Sequence, residues 1–115
     1  MFEKIVAACV LGVFAASASA TEITRTSLNI ATVRVVGDYI GTTYDNTVEL
    51  GFTNPPGWGG SCTNTRVEID ANYKQLVSIA YLAIATGRPV SVTVDDTFPI
   101  RSGMCQVVYI DFFAP

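Results

Sequence analysis

The chain contains no histidine. That removes the commonest general base and the usual transition-metal ligand. Ser61 and Ser102 lie in glycine-containing loops, but neither sits in a GxSxG turn and neither has a base to activate it. Asp95 and Asp96 are the one acidic pair, and they are adjacent. Neighbours in a strand point to opposite faces, so they do not form an acid/base couple. They could join a calcium ion from a loop, yet no EF-hand spacing surrounds them. A solvated turn is the plainer reading. The residue types therefore imply no enzyme, no metal and no cofactor.

The residues that could recognise a ligand are aromatic. Trp58 lies in the segment Asn-Pro-Pro-Gly-Trp-Gly-Gly-Ser-Cys-Thr-Asn, residues 54–64. Its prolines remove ladder donors and its glycines permit unusual dihedrals, so the segment is irregular. Two readings of Trp58 stand side by side. It is either an exposed platform for a sugar or partner, or a packing residue folded over a disulfide. Tyr39 and Tyr44 flank a turn and admit the same two readings. Asn54, Thr43 and Asp45 are polar neighbours able to orient hydroxyl groups. A binding surface built from the 55–61 loop and the 39–45 turn follows, because loops carry the variable chemistry of a rigid scaffold.

The first twenty residues read as an export signal. Lys4 supplies a weak positive start, Ile5–Ala16 an apolar core too short to span a bilayer, and Ala18-Ser19-Ala20 a cleavage site before Thr21. Val6-Ala7-Ala8-Cys9 resembles a lipoprotein box, but most of the apolar core follows Cys9 instead of preceding it. Residues 21–115 then form a single domain, secreted or periplasmic. Cys62 and Cys105 are its only cysteines. In an oxidising compartment they can pair in one way. Without histidine they make a poor zinc site, and there is no CxxC. The bridge would contribute about 4 kcal/mol in the chain-entropy model.

The formal net charge is −3, with no basic cluster. Nucleic acid and anionic membrane surfaces are therefore poor partners. Period-two alternation predicts strands over Ile30–Tyr39, Thr47–Thr53, Thr65–Asp70, Val90–Asp95 and Cys105–Phe113. Ala31, Val33 and Val35 are expected on one side of the first. Val48, Leu50 and Phe52 should face in, with Thr47, Glu49 and Thr53 facing out. The last strand is apolar on both faces and should be doubly covered. Thr21–Ser27 is polar and reads as a loose arm. A helix is predicted over Tyr73–Thr86, with Asn72 as N-cap, Gln75 as its capping-box partner and Gly87 as its stop. Its apolar residues occupy nearly all sides, which implies burial on more than one side or a homo-oligomer. Five strands with one helix between the third and fourth is the order of an OB-like barrel, a mainly β binding fold.

The run Leu76–Val94, followed by Cys105, resembles the helix-to-strand region of subtilase-cytotoxin-like B subunits. It also resembles small exported bacterial OB-fold proteins of undetermined role that share a Trp-Gly…Cys loop, here Trp58-Gly59-Gly60-Ser61-Cys62. The resemblance spans roughly residues 54–112. It implies an OB fold, a pentamer and binding of cell-surface glycans; it transfers no sugar-contacting residue to this chain.

The expected function is a secreted, non-catalytic recognition module, glycan-binding and oligomeric. The alternative is a small secreted structural or inhibitory protein acting through a protein interface. Neither inserts into a membrane.

Overall fold

A computed structural model describes residues 21–38, 41 and 45–114. Six strands and one helix follow one another: β1 (Glu22–Leu28), β2 (Ile30–Val36), β3 (Thr47–Phe52), β4 (Val67–Asp70), α1 (Lys74–Thr86), β5 (Val90–Asp95) and β6 (Gln106–Phe112). They form one sheet in the order β1-β5-β6-β4-β3-β2, parallel only between β4 and β6. β1 and β2 occupy opposite edges of that order yet are separated by Asn29 alone. The two edges must therefore meet at that corner. The result is a curled open sheet, a half-barrel, mainly β with one helix.

Two expectations change here. There are six strands instead of five, and the helix lies between the fourth and fifth. Both changes have one source, because the arm Thr21–Ser27 is a strand. Its pairing with β5 sets Ile23 opposite Val94, Thr24 opposite Thr93 and Leu28 opposite Val90. The Thr24 and Thr93 hydroxyls lie 2.7 Å apart. The arm is rich in β-branched residues and poor in large apolar ones. What makes it a strand is the free edge of β5, which its own hydropathy does not report.

Bulges explain the other shifts of side. β2 slips its register between Ile30 and Thr32 against β3. Ile30 is thereby buried and Ala31 exposed. Val35 lies opposite Val48 but is 60 % exposed, since the edge strand outruns its cover there. β3 is buried along its whole length, Thr47 and Glu49 included. β6 sits in mid-sheet, but only its first residues are buried, and Tyr109 and Asp111 are exposed. Its doubly covered stretch is thus confined to the start.

The core lies on one face of the sheet. Leu50, Val67, Ile69, Val90, Val92, Val94 and Val107 are fully enclosed there, and Ala80 and Ala83 of α1 pack onto them. Small residues on the helix let it approach closely. Its other flank leaves Tyr81 and Leu82 exposed. The helix begins without a side-chain cap, with Tyr73 at the N-cap position. Asn72 does not cap it; its own N–H donates to Asp70 Oδ1 at 2.9 Å. The end is as expected, with Gly87 in the left-handed conformation at φ 69°.

Candidate functional site

Cys62 and Cys105 form the disulfide, with Cα atoms 5.4 Å apart and 43 residues of separation. It staples the 54–66 loop to the segment that leads into β6. Beside it, the Asn64 N–H donates to the Gly103 carbonyl at 3.0 Å and Asn64 Nδ2 donates to the Ser102 carbonyl at 3.2 Å. Two loops that join different strand pairs are held as one layer.

Trp58 belongs to that layer and is 2 % exposed. Its indole N–H donates to the Thr65 carbonyl at 3.1 Å, so the one polar atom of the ring is satisfied. Its ring lies tilted against Phe52 at 6.1 Å between centroids. Arg25 reaches across from β1, donating to the Gly57 and Trp58 carbonyls at 3.1 and 3.2 Å. The indole thus presents no face to a ligand. Asn54 is exposed and Asp45 half-buried, at opposite ends of β3. At about 3.3 Å per strand residue, β3 itself puts about 16 Å between the two segments that carry them. Tyr39, Tyr44 and Thr43 lie outside the described residues. The structure brings none of the described candidates together into one surface.

An open cleft lies elsewhere, between the first turn of α1 and β6. One part, about 450 Å³, is lined by Asn72, Tyr73, Lys74, Gln75, Leu76 and Val108. It continues into a smaller part of about 170 Å³, where Phe98 and Val107 join Tyr73, Leu76 and Val108. Tyr73 is 50 % exposed and Phe98 39 %. Local sequence explains the geometry. The β5–β6 register shifts between Thr93 and Val94, so Val108 is the extra residue and stands out of the ladder. The Asp70 turn, in which Tyr73 N–H donates to the Asp70 carbonyl at 2.9 Å, delivers Tyr73 to the rim. The cleft offers aromatic faces flanked by two amides and an ammonium group. Sequence inspection missed it because Tyr73 counted as a helix residue and Phe98 as an ordinary loop residue.

The opposite face of the sheet carries a polar rank. Pairing places Glu22 beside Asp95, Asp95 beside Gln106, Gln106 beside Glu68, Glu68 beside Glu49, and Glu49 beside Arg34. One residue from each of the six strands thus stands in a single cross-sheet row. Arg66 and Arg34 approach Glu49 at 3.4 and 3.7 Å. Arg101 Nη1 approaches Glu68 Oε1 at 3.5 Å. Glu68 is 1 % exposed, and neither of its carboxylate oxygens accepts a hydrogen bond. Burial pushes its carboxyl above the ordinary glutamate range; Arg101 opposes this, and Glu49 and Asp70 add to it. Next to Glu22 in the row, Asp95 is held below the ordinary range, first by the Thr97 hydroxyl and next by the Thr97 N–H, with the Thr21 hydroxyl adding less.

Among the described residues no three His, Cys, Asp or Glu groups gather to hold a metal ion, and no helix is long and apolar enough to cross a membrane. No protein-family model matches the chain, and no curated protein is detectably similar to it.

Proposed function

We propose that the protein is an exported, non-catalytic recognition module that binds a glycan in the cleft between α1 and β6. The observation that carries this reading is the pair Tyr73 and Phe98, both solvent-open on one small cleft with Asn72 and Gln75 at its rim. Sugar rings stack on aromatic faces while side-chain amides take their hydroxyls. A disulfide in a chain with a signal-like start supports export. The fold supports a binding role too. If β1 and β2 are taken as one bent strand, the remaining order, with the helix before the next-to-last strand, is that of an OB-type barrel, in keeping with the resemblance to toxin B subunits. Screening the mature chain on a glycan array, then mapping any hit by NMR, tests the reading. The expected result is perturbation at Tyr73, Val108 and Phe98. A hit that instead perturbs only the 54–61 loop, or no hit across neutral and acidic glycans, removes it.

A second reading rests on a different surface. Tyr81 and Leu82 on the outer flank of α1 are exposed apolar residues, as is Phe113 just beyond β6. These suit a protein contact, either with a second copy of this chain or with another protein. Sedimentation equilibrium of the mature protein separates them. Association lost on Leu82→Glu assigns the flank to self-assembly.

A further inference from the structure

Glu68 has no part in the cleft, yet it is the least ordinary group in the fold. It is buried, and neither oxygen accepts a hydrogen bond. Directly across the β3–β4 ladder stands Glu49, also buried and of the same charge. Like charges set opposite one another repel. Asp70 on its own strand adds to the repulsion. From β6 comes the neutral Gln106, whose amide donates to the Pro99 carbonyl at 3.1 Å and makes no hydrogen bond to Glu68. From β5, Asp95 occupies the far side of Gln106 and is engaged with Thr97 and Thr21. The arginines Arg34 and Arg66 are drawn to Glu49. The counter-charge left to Glu68 is Arg101, at 3.5 Å.

Arg101 is also the only charged side chain between Thr97 and Cys105. The loop it belongs to is fastened at both shoulders. Asp95 holds Thr97 at one, and the disulfide with the Asn64–Gly103 bond holds the other. Between them the Pro99 and Ser102 carbonyls accept from the Gln106 and Asn64 amides, a small backbone bridge pairs Arg101 with Met104, and the Arg101 side chain adds the one ionic tie. Phe98, three residues before Arg101, is a wall of the cleft. The ion pair therefore ties one wall of the cleft to the polar row of the sheet.

We propose that Glu68 and Arg101 form a proton-operated latch, in which protonation of Glu68 releases Arg101 and loosens the 98–102 segment that forms the Phe98 wall. A neutral Glu68 no longer repels Glu49 and Asp70, so its own site gains by protonation. Arg101 is partly exposed and turns to water once its partner is neutral. The two consequences have opposite signs. Because the carboxyl is raised above its unfolded value, its contribution to global stability is full below that value and is lost as pH rises through the native one. Acidification into that window thus firms the sheet and frees the loop. General acid loosening would weaken both.

The proposal deepens the recognition reading by giving the cleft a pH control, and its test needs no ligand. Amide exchange of the wild-type chain and of Glu68→Gln is followed from neutral to mildly acidic pH, at Phe98–Ser102 and at core amides of β3 and β5. In the wild type, loop exchange corrected for its intrinsic pH dependence should rise on acidification, by about tenfold if the opening is local. Core protection should hold or grow. Glu68→Gln should show the loosened loop at every pH. Should that variant not fold, the Glu68 side-chain carboxyl carbon in the wild type still reports the step by NMR, and the loop signals must titrate with the same midpoint. A loop in Glu68→Gln as protected as the wild type at neutral pH overturns the latch, as does a carboxyl titrating at or below the ordinary value. If the loop responds and no glycan binds, the latch stands and the recognition reading falls. If a glycan binds with affinity flat in pH while the loop is unmoved, the reverse holds.

Discussion

Trp58 and Tyr73 are each an aromatic residue beside a chain reversal, and the fold treats them oppositely. One is 2 % exposed and the other 50 %. The difference lies in what fastens each segment. The Trp58 loop is held by a disulfide, an arginine from β1 and a hydrogen bond to the ring itself. The Tyr73 turn is held by hydrogen bonds to the Asp70 and Asn46 carbonyls and to the Asp70 carboxylate, and none of them reaches the half-exposed ring. A glycine- and proline-rich segment is irregular, but irregularity says nothing of depth. Cross-links decide that.

The largest effect should come from the fastened side. Trp58→Ala removes a buried ring and leaves the Thr65 carbonyl without its donor. A loss of about 3–5 kcal/mol is expected, read as a lower denaturant midpoint. Any glycan affinity that the folded fraction retains should be unchanged. A stable variant that has lost binding would invert the comparison and return the site to the loop.

Next in size is the disulfide. Replacing both Cys62 and Cys105 with alanine should cost about 4 kcal/mol if the chain-entropy model holds. The companion test is Gly103→Ala. Gly103 has φ 77°, and a methyl group there would run into the Thr63 hydroxyl and come within 3.1 Å of the Asn64 nitrogen. At least about 1–2 kcal/mol should be lost from the backbone conformation alone. If Gly103→Ala unfolds as the wild type does, the two loops are less closely docked than their hydrogen bonds state.

How much of this was legible follows from the kind of force involved. The β5 strand, the Val67 and Ile69 pattern and the Gly87 stop were readable because each rests on local periodicity or on one residue's dihedral. The disulfide was readable from counting. β1 was not, because its place depends on an edge supplied by a strand nearly seventy residues away, Thr24 meeting Thr93. The start of β2 was not, because a bulge at Ala31 puts Ile30 on the side of Val33 and Val35, whose own alternation was read as it stands. The cleft was illegible for the same reason, since Tyr73, Phe98 and Val108 meet only after the helix and the β5–β6 loop are folded. Glu49, expected to face out, does face outward from the core, and Glu68 stands beside it on the same face. They are buried because arginines from other segments lie over them.

On the open side the changes should be in binding instead of stability. Tyr73→Ala and Phe98→Ala alter solvent-exposed rings and should shift stability by no more than about 0.5 kcal/mol. Each should weaken glycan binding by about tenfold, the equivalent of about 1.4 kcal/mol. Calorimetry on both variants checks the pair of outcomes together. Loss of stability without loss of affinity would make the cleft a packing seam.

The smallest expected effect sharpens the contrast within the polar row itself. Asp95 and Glu68 belong to one cross-sheet rank, but their carboxyls are shifted in opposite directions. Asp95 accepts from the Thr97 hydroxyl at 2.6 Å, the Thr97 N–H at 2.9 Å and the Thr21 hydroxyl at 3.0 Å. Its charged form is favoured, so its contribution is present above the unfolded value near 3.8 and is lost as pH falls through the lower native one. Glu68 acts above its ordinary value of 4.5, with the reverse sign. The two windows do not overlap. Asp95→Asn keeps an acceptor oxygen but no charge, so it should be slightly less stable than the wild type at neutral pH, within the range of ordinary surface changes. The deficit should disappear below the native Asp95 titration. Thermal midpoints of both chains from strongly acidic to neutral pH give the comparison directly. A deficit that persists unchanged at the acid end would show that the Asp95 contacts act through geometry instead of charge, and the two carboxylates of the row would then differ in burial alone.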